Sequence, residues 1–167
     1  MNYSEKVSYL LNTHSHIYEN IKLADQKALV LIALNPTVLS ALYGSKVVNL
    51  RQGSLISLFS VMAFCGLIAS LVLAILVVYP RGEKITDDLA GGSLASPSKI
   101  ARVHHTCAQY INEINTSDDS QFIEDLATLV YARSQTNIIK YQYLKQSILV
   151  SSIGWFFSFI LLFIAIM

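Results

Sequence analysis

The sequence predicts an all-α membrane protein with three transmembrane helices and a small helical cytosolic domain. Hydrophobic residues make up 53% of the 167-residue chain and charged residues only 14%, whereas soluble domains carry roughly 25% charged residues. The excess is concentrated in two stretches without any charge, residues 53–80 and residues 146–167. A helix needs about 20 apolar residues to cross a bilayer, so each stretch is long enough for one span.

The spans differ in how clearly the sequence marks them. Residues 54–79 and 147–167 form the second and third spans within the uncharged stretches. Residues 28–45 form a shorter first span, which can alternatively be a helix buried against the other two. This segment carries Asn35 and Pro36 at its centre. Because proline removes one backbone N–H and breaks a helical hydrogen bond, we expect a kink there.

Two long helices are expected to continue from the cytosol into the membrane. Residues 1–27 have apolar side chains at spacings of three and four, which is typical of an amphipathic cytosolic helix. No helix-breaking residue separates this part from the first span, so one helix from Ser4 to Leu42, about 60 Å long, is predicted. A second helix over residues 120–166 is predicted in the same way, since Gly154 is its first potential breaker.

Residues 80–146 are predicted to be a cytosolic helical region. Ser96 can cap a helix and Pro97 suits its first position, so a helix is expected from there to about residue 114. Ser117 or Asp118 can cap the second long helix. The residues expected on the buried side of the shorter helix are Ile100, Val103, Cys107, Ile111 and Ile114.

The distribution of lysine and arginine predicts the orientation of the chain in the membrane. Near the membrane edges, six basic residues lie beside the N-terminal segment and residues 80–146, and two lie in the loop between the first two spans. This bias predicts that the N-terminal segment and residues 80–146 are in the cytoplasm. No cleavable signal peptide is expected, so the chain is predicted to insert through its own spans. The six cytoplasmic-side residues are Lys22, Lys27, Arg81, Lys84, Lys140 and Lys145, and the two in the loop are Lys46 and Arg51.

No arrangement of residues in the sequence predicts catalysis or a cofactor. The chain has no glycine-rich phosphate loop, nucleophile elbow or metalloprotease motif. His14 and His16 lie on different sides of a helix, so they cannot readily bind the same metal ion. Cys65 lies in a span and Cys107 outside it, so a disulfide is not expected. We therefore predict that the protein is not an enzyme and has neither a metal site nor a cofactor.

Small and polar residues within the spans have two possible roles. Ser147, Ser151, Gly154 and Ser158 lie on one face of the third span. A similar stripe in the second span consists of Ala63, Gly66, Ser70 and Ala74. Small faces let helices approach closely, but a row of hydroxyl groups can also line a water path. The residues predicted for a pore are Asn35, Thr37, Ser40, Ser151 and Ser158.

Around the first span, the sequence resembles the Pycsar transmembrane effector (PycTM) family of bacterial antiphage proteins. Family members have a polar helix, an "AD-x-KA" junction and an apolar helix with a central asparagine. The chain departs from the family at Pro36, where a small residue is usual. A looser "DL…K-Y-x-x-L-K" pattern precedes the last span. The matching residues are Ala24, Asp25, Lys27, Ala28 and Asn35, followed by Asp125, Leu126, Lys140, Tyr141, Leu144 and Lys145.

The resemblance implies an antiphage effector in the bacterial inner membrane, in which the cytosolic region 80–146 is a nucleotide sensor joined to the membrane helices. Pycsar effectors respond to cyclic pyrimidine nucleotides made by a companion cyclase, and the membrane loses its integrity. In the related Hailong system a nucleotidyltransferase makes DNA oligomers that hold a membrane channel shut. Either nucleotide class fits the sequence. We expect a homo-oligomer, taken as a tetramer, that contacts membrane lipid and forms a ligand-controlled channel.

Charged residues give the first candidates for ligand binding and gating. Lys99, Arg102, His105 and Arg133 are predicted to bind the nucleotide, because arginine can hold a phosphate with two donors. Asp25 lies at the predicted membrane edge and is expected to affect gating by pairing with Lys140 or Lys145. A second hypothesis is a non-conducting scaffold that binds partner proteins through its cytosolic helices.

Overall fold

The structure confirms the predicted all-helical fold class. The computed structural model describes residues 2–44, 54–79 and 106–166. Within these ranges there are four helices and no strand. The helices are α1 (Tyr3–Gly44), α2 (Ser54–Val78), α3 (Cys107–Thr116) and α4 (Asp119–Ile166). Of these, α1, α2 and α4 are long and apolar enough to cross a membrane.

Helix α1 is the predicted long N-terminal helix, and it remains helical through Pro36. Its start is fixed by a reciprocal cap. The backbone N–H of Glu5 donates to Asn2 Oδ1 at 2.9 Å, and the N–H of Asn2 donates to Glu5 Oε2 at 2.9 Å. This capping box satisfies two N–H groups that the first helical turn leaves without partners. A kink at Pro36 stays a prediction.

Helix α3 is shorter than the sequence suggested. It begins at Cys107, because Thr106 has an extended backbone and its side chain accepts a hydrogen bond from the N–H of Gln109. A single helix from Pro97 to residue 114 is therefore wrong, although residues 96–105 lie outside the described residues. The predicted burial is also wrong within α3, where Cys107, Ile111 and Ile114 are all exposed.

The chain divides into two compact units. Unit 1 comprises Met1–Lys22 and Pro80–Ile139, and unit 2 comprises Leu23–Tyr79 and Lys140–Met167. Both α1 and α4 continue from one unit into the other without a break in the helix. The predicted membrane boundaries at residues 27–28 and 146–147 stay predictions.

Unit 2 contains three helices that pack through small residues. One apolar cluster includes Ala24, Ala28 and Ala74, and another includes Ala63 and Leu67. Large apolar side chains cover the outside of the same helices, as is suitable for contact with lipid tails. Examples of these exposed side chains are Leu29, Leu34, Leu58, Phe64, Phe156, Phe159 and Phe163.

In unit 1, α1 runs beside the first half of α4 in the same direction. Asp119 at the start of α4 accepts a hydrogen bond from the Tyr3 hydroxyl. The pKa of Tyr3 is raised by partial desolvation and then by the charge and hydrogen bond of Asp119. Further along, His14 of α1 lies close to Arg133 of α4. Apolar residues of α4 are buried here, including Leu129 and Val130.

Candidate functional site

Asn35 connects all three membrane-type helices of unit 2 through buried hydrogen bonds. Its side chain is fully buried. The Nδ2 group donates to Ser70 Oγ of α2 at 3.0 Å, and Oδ1 accepts from Ser151 Oγ of α4 at 2.9 Å. An unpaired amide in an apolar environment is costly, so these partners explain how an asparagine is accommodated at this position.

Two serines complete the same cluster. Ser70 Oγ donates to the Ser147 carbonyl at 2.8 Å, and Ser147 Oγ donates to the Ser70 carbonyl at 2.9 Å. Both side chains are fully buried. We call Asn35, Ser70, Ser147 and Ser151 the polar junction. Each of its three hydroxyl hydrogens has an acceptor inside the junction.

Close packing of two glycines holds α2 against α4 beside the polar junction. A Cβ atom built on Gly66 would lie 3.1 Å from the Gly154 Cα, and one built on Gly154 would lie 3.0 Å from the Leu67 backbone nitrogen. These distances are too short for a side chain without movement of the backbone. The small-residue stripes of the second and third spans therefore pack against each other, which is the first of the two predicted roles.

The structure places the predicted pore residues in two different environments. Asn35, Ser151 and Ser158 are buried within the protomer, and Ser158 Oγ donates to the Gly154 carbonyl of its own helix at 2.7 Å. Thr37 and Ser40 are exposed on α1. The Thr37 hydroxyl bonds the Ala33 carbonyl at 2.9 Å. A pore role for these five residues stays a prediction.

Asp25 pairs with Lys140, which is one of the two partners predicted for it. Lys140 Nζ lies 2.5 Å from Asp25 Oδ1, whereas Lys145 is exposed. Lys140 is only 6% exposed, so its ammonium group depends on this carboxylate for compensation of its charge. The Asp25 side chain is 31% exposed and keeps access to solvent. The pair joins α1 to α4 within unit 2, and its role in gating stays a prediction.

Arg133 is the one predicted ligand-binding residue that lies in the described part of the chain; Lys99, Arg102 and His105 lie outside it. Arg133 is partly buried on α4. Burial lowers the pKa of His14, and the positive charge of Arg133 lowers it further. At neutral pH the imidazole is therefore uncharged, and Arg133 supplies the positive charge at this position.

Sequence reasoning missed Ser70 as a partner of Asn35 and Ser147 as a partner of Ser70. Both were placed in small-residue stripes, but neither was predicted to form a hydrogen bond with another helix. Their hydroxyl groups become partners only because the glycine contact brings α2 and α4 together. Within residues 2–44, 54–79 and 106–166, no three His, Cys, Asp or Glu side chains are grouped in a way that could hold a metal ion.

Comparison with known proteins identifies relatives over nearly the whole chain. A family model described as the Pycsar effector protein domain, PycTM, matches residues 9–167. The Pycsar effector protein SaPycTM from Staphylococcus aureus is 24% identical over 151 residues, which cover 90% of each chain. No solved structure matches the chain. The resemblance inferred from the AD-x-KA segment is thereby confirmed.

Proposed function

The chain belongs to the Pycsar effector family, whose members are membrane effectors of antiphage defence, and on this premise we propose that it forms a nucleotide-gated channel. In the proposed mechanism, infection changes the level of a nucleotide in the cytoplasm. Ligand binding to the water-exposed helices opens a path through an oligomer, and the inner membrane loses its integrity. The protein acts without a cofactor and without catalysing a reaction.

The polar junction is the observation that carries this proposal. Polar groups inside membrane helices are costly and commonly mark ion or substrate paths. Here four polar residues are buried among apolar helices and bond one another. We propose that this is the closed conformation. In the open conformation water replaces the two hydrogen bonds of Asn35, while the Ser70–Ser147 bonds between α2 and α4 persist. The amide of Asn35 and the hydroxyl of Ser151 then face the path.

The contacts of unit 2 suggest which helix moves. Helices α2 and α4 pack closely where Gly66 meets Gly154. Separating the helices there would lose van der Waals contact, which water cannot replace. Helix α1 is joined to α4 by Asp25–Lys140 and Asn35–Ser151, and water can replace both of these polar contacts. We therefore propose that α1 moves relative to a stable α2–α4 pair. A ligand produces this change only through different affinities for the two conformations.

In the proposed gating mechanism, the space for a water path lies between the protomers of an oligomer. Asn35 and Ser151 are enclosed by the helices of their own chain, so a continuous path requires α1 to move toward a neighbouring protomer. Thr37 and Ser40 lie on the exposed side of α1 and would line the path from its other side. We propose a homo-oligomer, with four protomers as the starting hypothesis.

Flux through liposomes tests the proposed function. The purified protein is reconstituted with a trapped ion-sensitive dye, and cyclic UMP, cyclic CMP or short DNA oligomers are added. We expect a cyclic nucleotide to increase flux; closure by DNA would instead indicate the Hailong-type arrangement. Asn35→Leu should reduce the flux, whereas Leu34→Ile, an exposed neighbour, should leave it unchanged. Absence of any ligand-dependent flux would refute the channel.

Cross-linking separates the moving helix from the stationary pair. In a background without Cys65 and Cys107, the double variant Ser70→Cys/Ser147→Cys links α2 to α4, where the two hydroxyls lie 3.1 Å apart. Oxidation of this variant should leave ligand-dependent flux intact. The variant Asn35→Cys/Ser151→Cys links α1 to α4, and its oxidation should abolish flux until a reductant is added. The opposite pattern would contradict the proposed movement of α1.

A membrane scaffold remains the second candidate because of α3. Ile111 and Ile114 of this helix are exposed, and an exposed apolar pair on an amphipathic helix can bind another protein. Substitution of both by serine should abolish defence while flux persists if the protein acts as a scaffold. If it acts as a channel, the loss of defence should instead follow the loss of flux.

A further inference from the structure

Two buried polar atoms in unit 1 have no hydrogen-bond partner among the described residues. They are Nε of Arg133, which is a donor, and Oδ1 of Asn137, which is an acceptor. The two residues are separated by four positions on α4, so they lie on one face of the helix. An unsatisfied buried polar atom costs free energy, so such atoms in a folded protein need an explanation, for example a bound ion, ligand or water molecule.

Among the described residues, no acidic side chain compensates the charge of Arg133. Between Asp125 and Lys140, Arg133 is the only charged residue of α4. His14 of α1 lies close to Arg133, and its imidazole is neutral near pH 7 because its pKa is lowered. No ion pair of Arg133 occurs within the described residues, and its neighbours one turn back, Leu129 and Val130, are buried and apolar. The position therefore favours an anion, with an adjacent acceptor for a hydrogen-bond donor.

We propose that Arg133, Asn137 and His14 form the binding site for the nucleotide ligand. The Arg133 guanidinium binds the phosphate, since a planar guanidinium donates to two phosphate oxygens. Asn137 Oδ1 accepts a hydrogen bond from the base, either the ring N–H of uracil or the exocyclic amine of cytosine. His14 lies on the α1 side and donates to the phosphate. The site rests on the proposed function, because it assigns the location of the ligand that gates the channel.

A single bound water is the competing explanation. One water molecule could accept from Arg133 Nε and donate to Asn137 Oδ1, in which case the two residues are only structural. The two explanations differ for Asn137→Leu. This variant removes an unsatisfied acceptor, so in the ligand site it should lose binding while its melting temperature stays equal or rises. For a structural water, the melting temperature should fall and binding should be unaffected.

Calorimetry on the full-length protein in lipid nanodiscs tests the site. The probes are cyclic UMP and cyclic CMP, with cyclic AMP and inorganic phosphate for comparison. We expect Arg133→Ala and Asn137→Leu each to weaken binding of the cyclic pyrimidine nucleotide about tenfold to a hundredfold. Arg133→Lys should weaken binding by an intermediate amount, because lysine keeps the positive charge but lacks the planar group that donates to two phosphate oxygens. The matched controls are Lys22→Ala and Asn12→Leu, both exposed on α1, and these should bind like the wild type.

The outcomes separate the site from the proposed function. Wild-type affinity in both Arg133→Ala and Asn137→Leu, with liposome flux still responsive, would overturn the site and leave the channel standing. Loss of binding in these variants together with absence of flux in the wild type would support the site and refute gating. If the wild-type protein binds neither cyclic pyrimidine nucleotide nor phosphate, the site is overturned.

Discussion

Breaking the Asp25–Lys140 pair from either side should have unequal effects on stability. Asp25→Asn leaves the Lys140 ammonium group without its carboxylate, and Lys140 is only 6% exposed. An uncompensated buried charge costs about 3–5 kcal/mol. Lys140→Met leaves the Asp25 carboxylate instead, whose side chain is 31% exposed. Because water can still hydrate this carboxylate, we expect a cost of about 1 kcal/mol.

The double variant makes the reasoning quantitative. In Asp25→Asn/Lys140→Met neither side chain is charged, and the methionine keeps most of the apolar contact of the lysine stem. Its stability should lie within about 1 kcal/mol of the wild type, because neutral replacement of a buried ion pair is often tolerated. The double variant should therefore be more stable than Asp25→Asn alone by about 2–4 kcal/mol.

Reversible unfolding of the purified protein in mixed detergent micelles measures these differences in unfolding free energy. Lys145→Met is the matched control, because Lys145 is exposed on the same helix and its loss should change stability by less than about 0.5 kcal/mol. Equal costs for the two single variants would contradict the argument from burial. Simple addition of those costs in the double variant would show that the pair does not interact.

Three further predictions follow from local contacts. Gly154→Ala should destabilise the protein by about 1–3 kcal/mol, since the new methyl would lie 3.0 Å from the Leu67 backbone. The control Gly44→Ala, which has open space around the new methyl, should not destabilise the protein. The same unfolding assay measures both variants. The pKa of His14 should lie below 6.5 in an NMR titration and rise in Arg133→Ala, while staying below 6.5 because burial is the larger cause. Because folding favours the neutral imidazole, stability should fall as pH drops below about 6.5 and level off below the folded pKa.

Most of the fold could be predicted because apolar composition and length are properties of the chain itself. Uncharged stretches longer than a bilayer requires are sufficient to predict α2 and the second half of α4. The absence of breakers likewise predicts a long α1. The boundaries of α3 could not be predicted in this way, since Ser96–Pro97 and Thr106 are both acceptable helix starts. Only the backbone conformation at Thr106 distinguishes between them.

The candidate site was less predictable because it depends on contacts between distant segments. Asn35 is conspicuous in the sequence as a polar residue in a span, but its partners lie 35 and 116 positions away. Which serine meets it depends on the register of three helices. Arg133 could be selected as a cation, whereas Asn137 is an ordinary helix residue in the sequence. Its importance comes from its buried side-chain oxygen, which has no hydrogen-bond partner in the described part of the chain.

The free energies of the proposed contacts imply that protomers must act together. Moving a two-state equilibrium from 1:99 to 99:1 requires a differential affinity of about 5.5 kcal/mol. A hydrogen bond to a charged group contributes about 1.5–3 kcal/mol and a neutral one about 0.5–1.5 kcal/mol. Arg133 and Asn137 together therefore supply about 2–4.5 kcal/mol per ligand, which is less than one protomer needs for a complete switch. In an oligomer whose protomers change conformation together, the contributions of several ligands add, so about two to three ligands suffice. The ligand dependence of flux should accordingly be sigmoidal, and a hyperbolic response would show that each protomer switches alone.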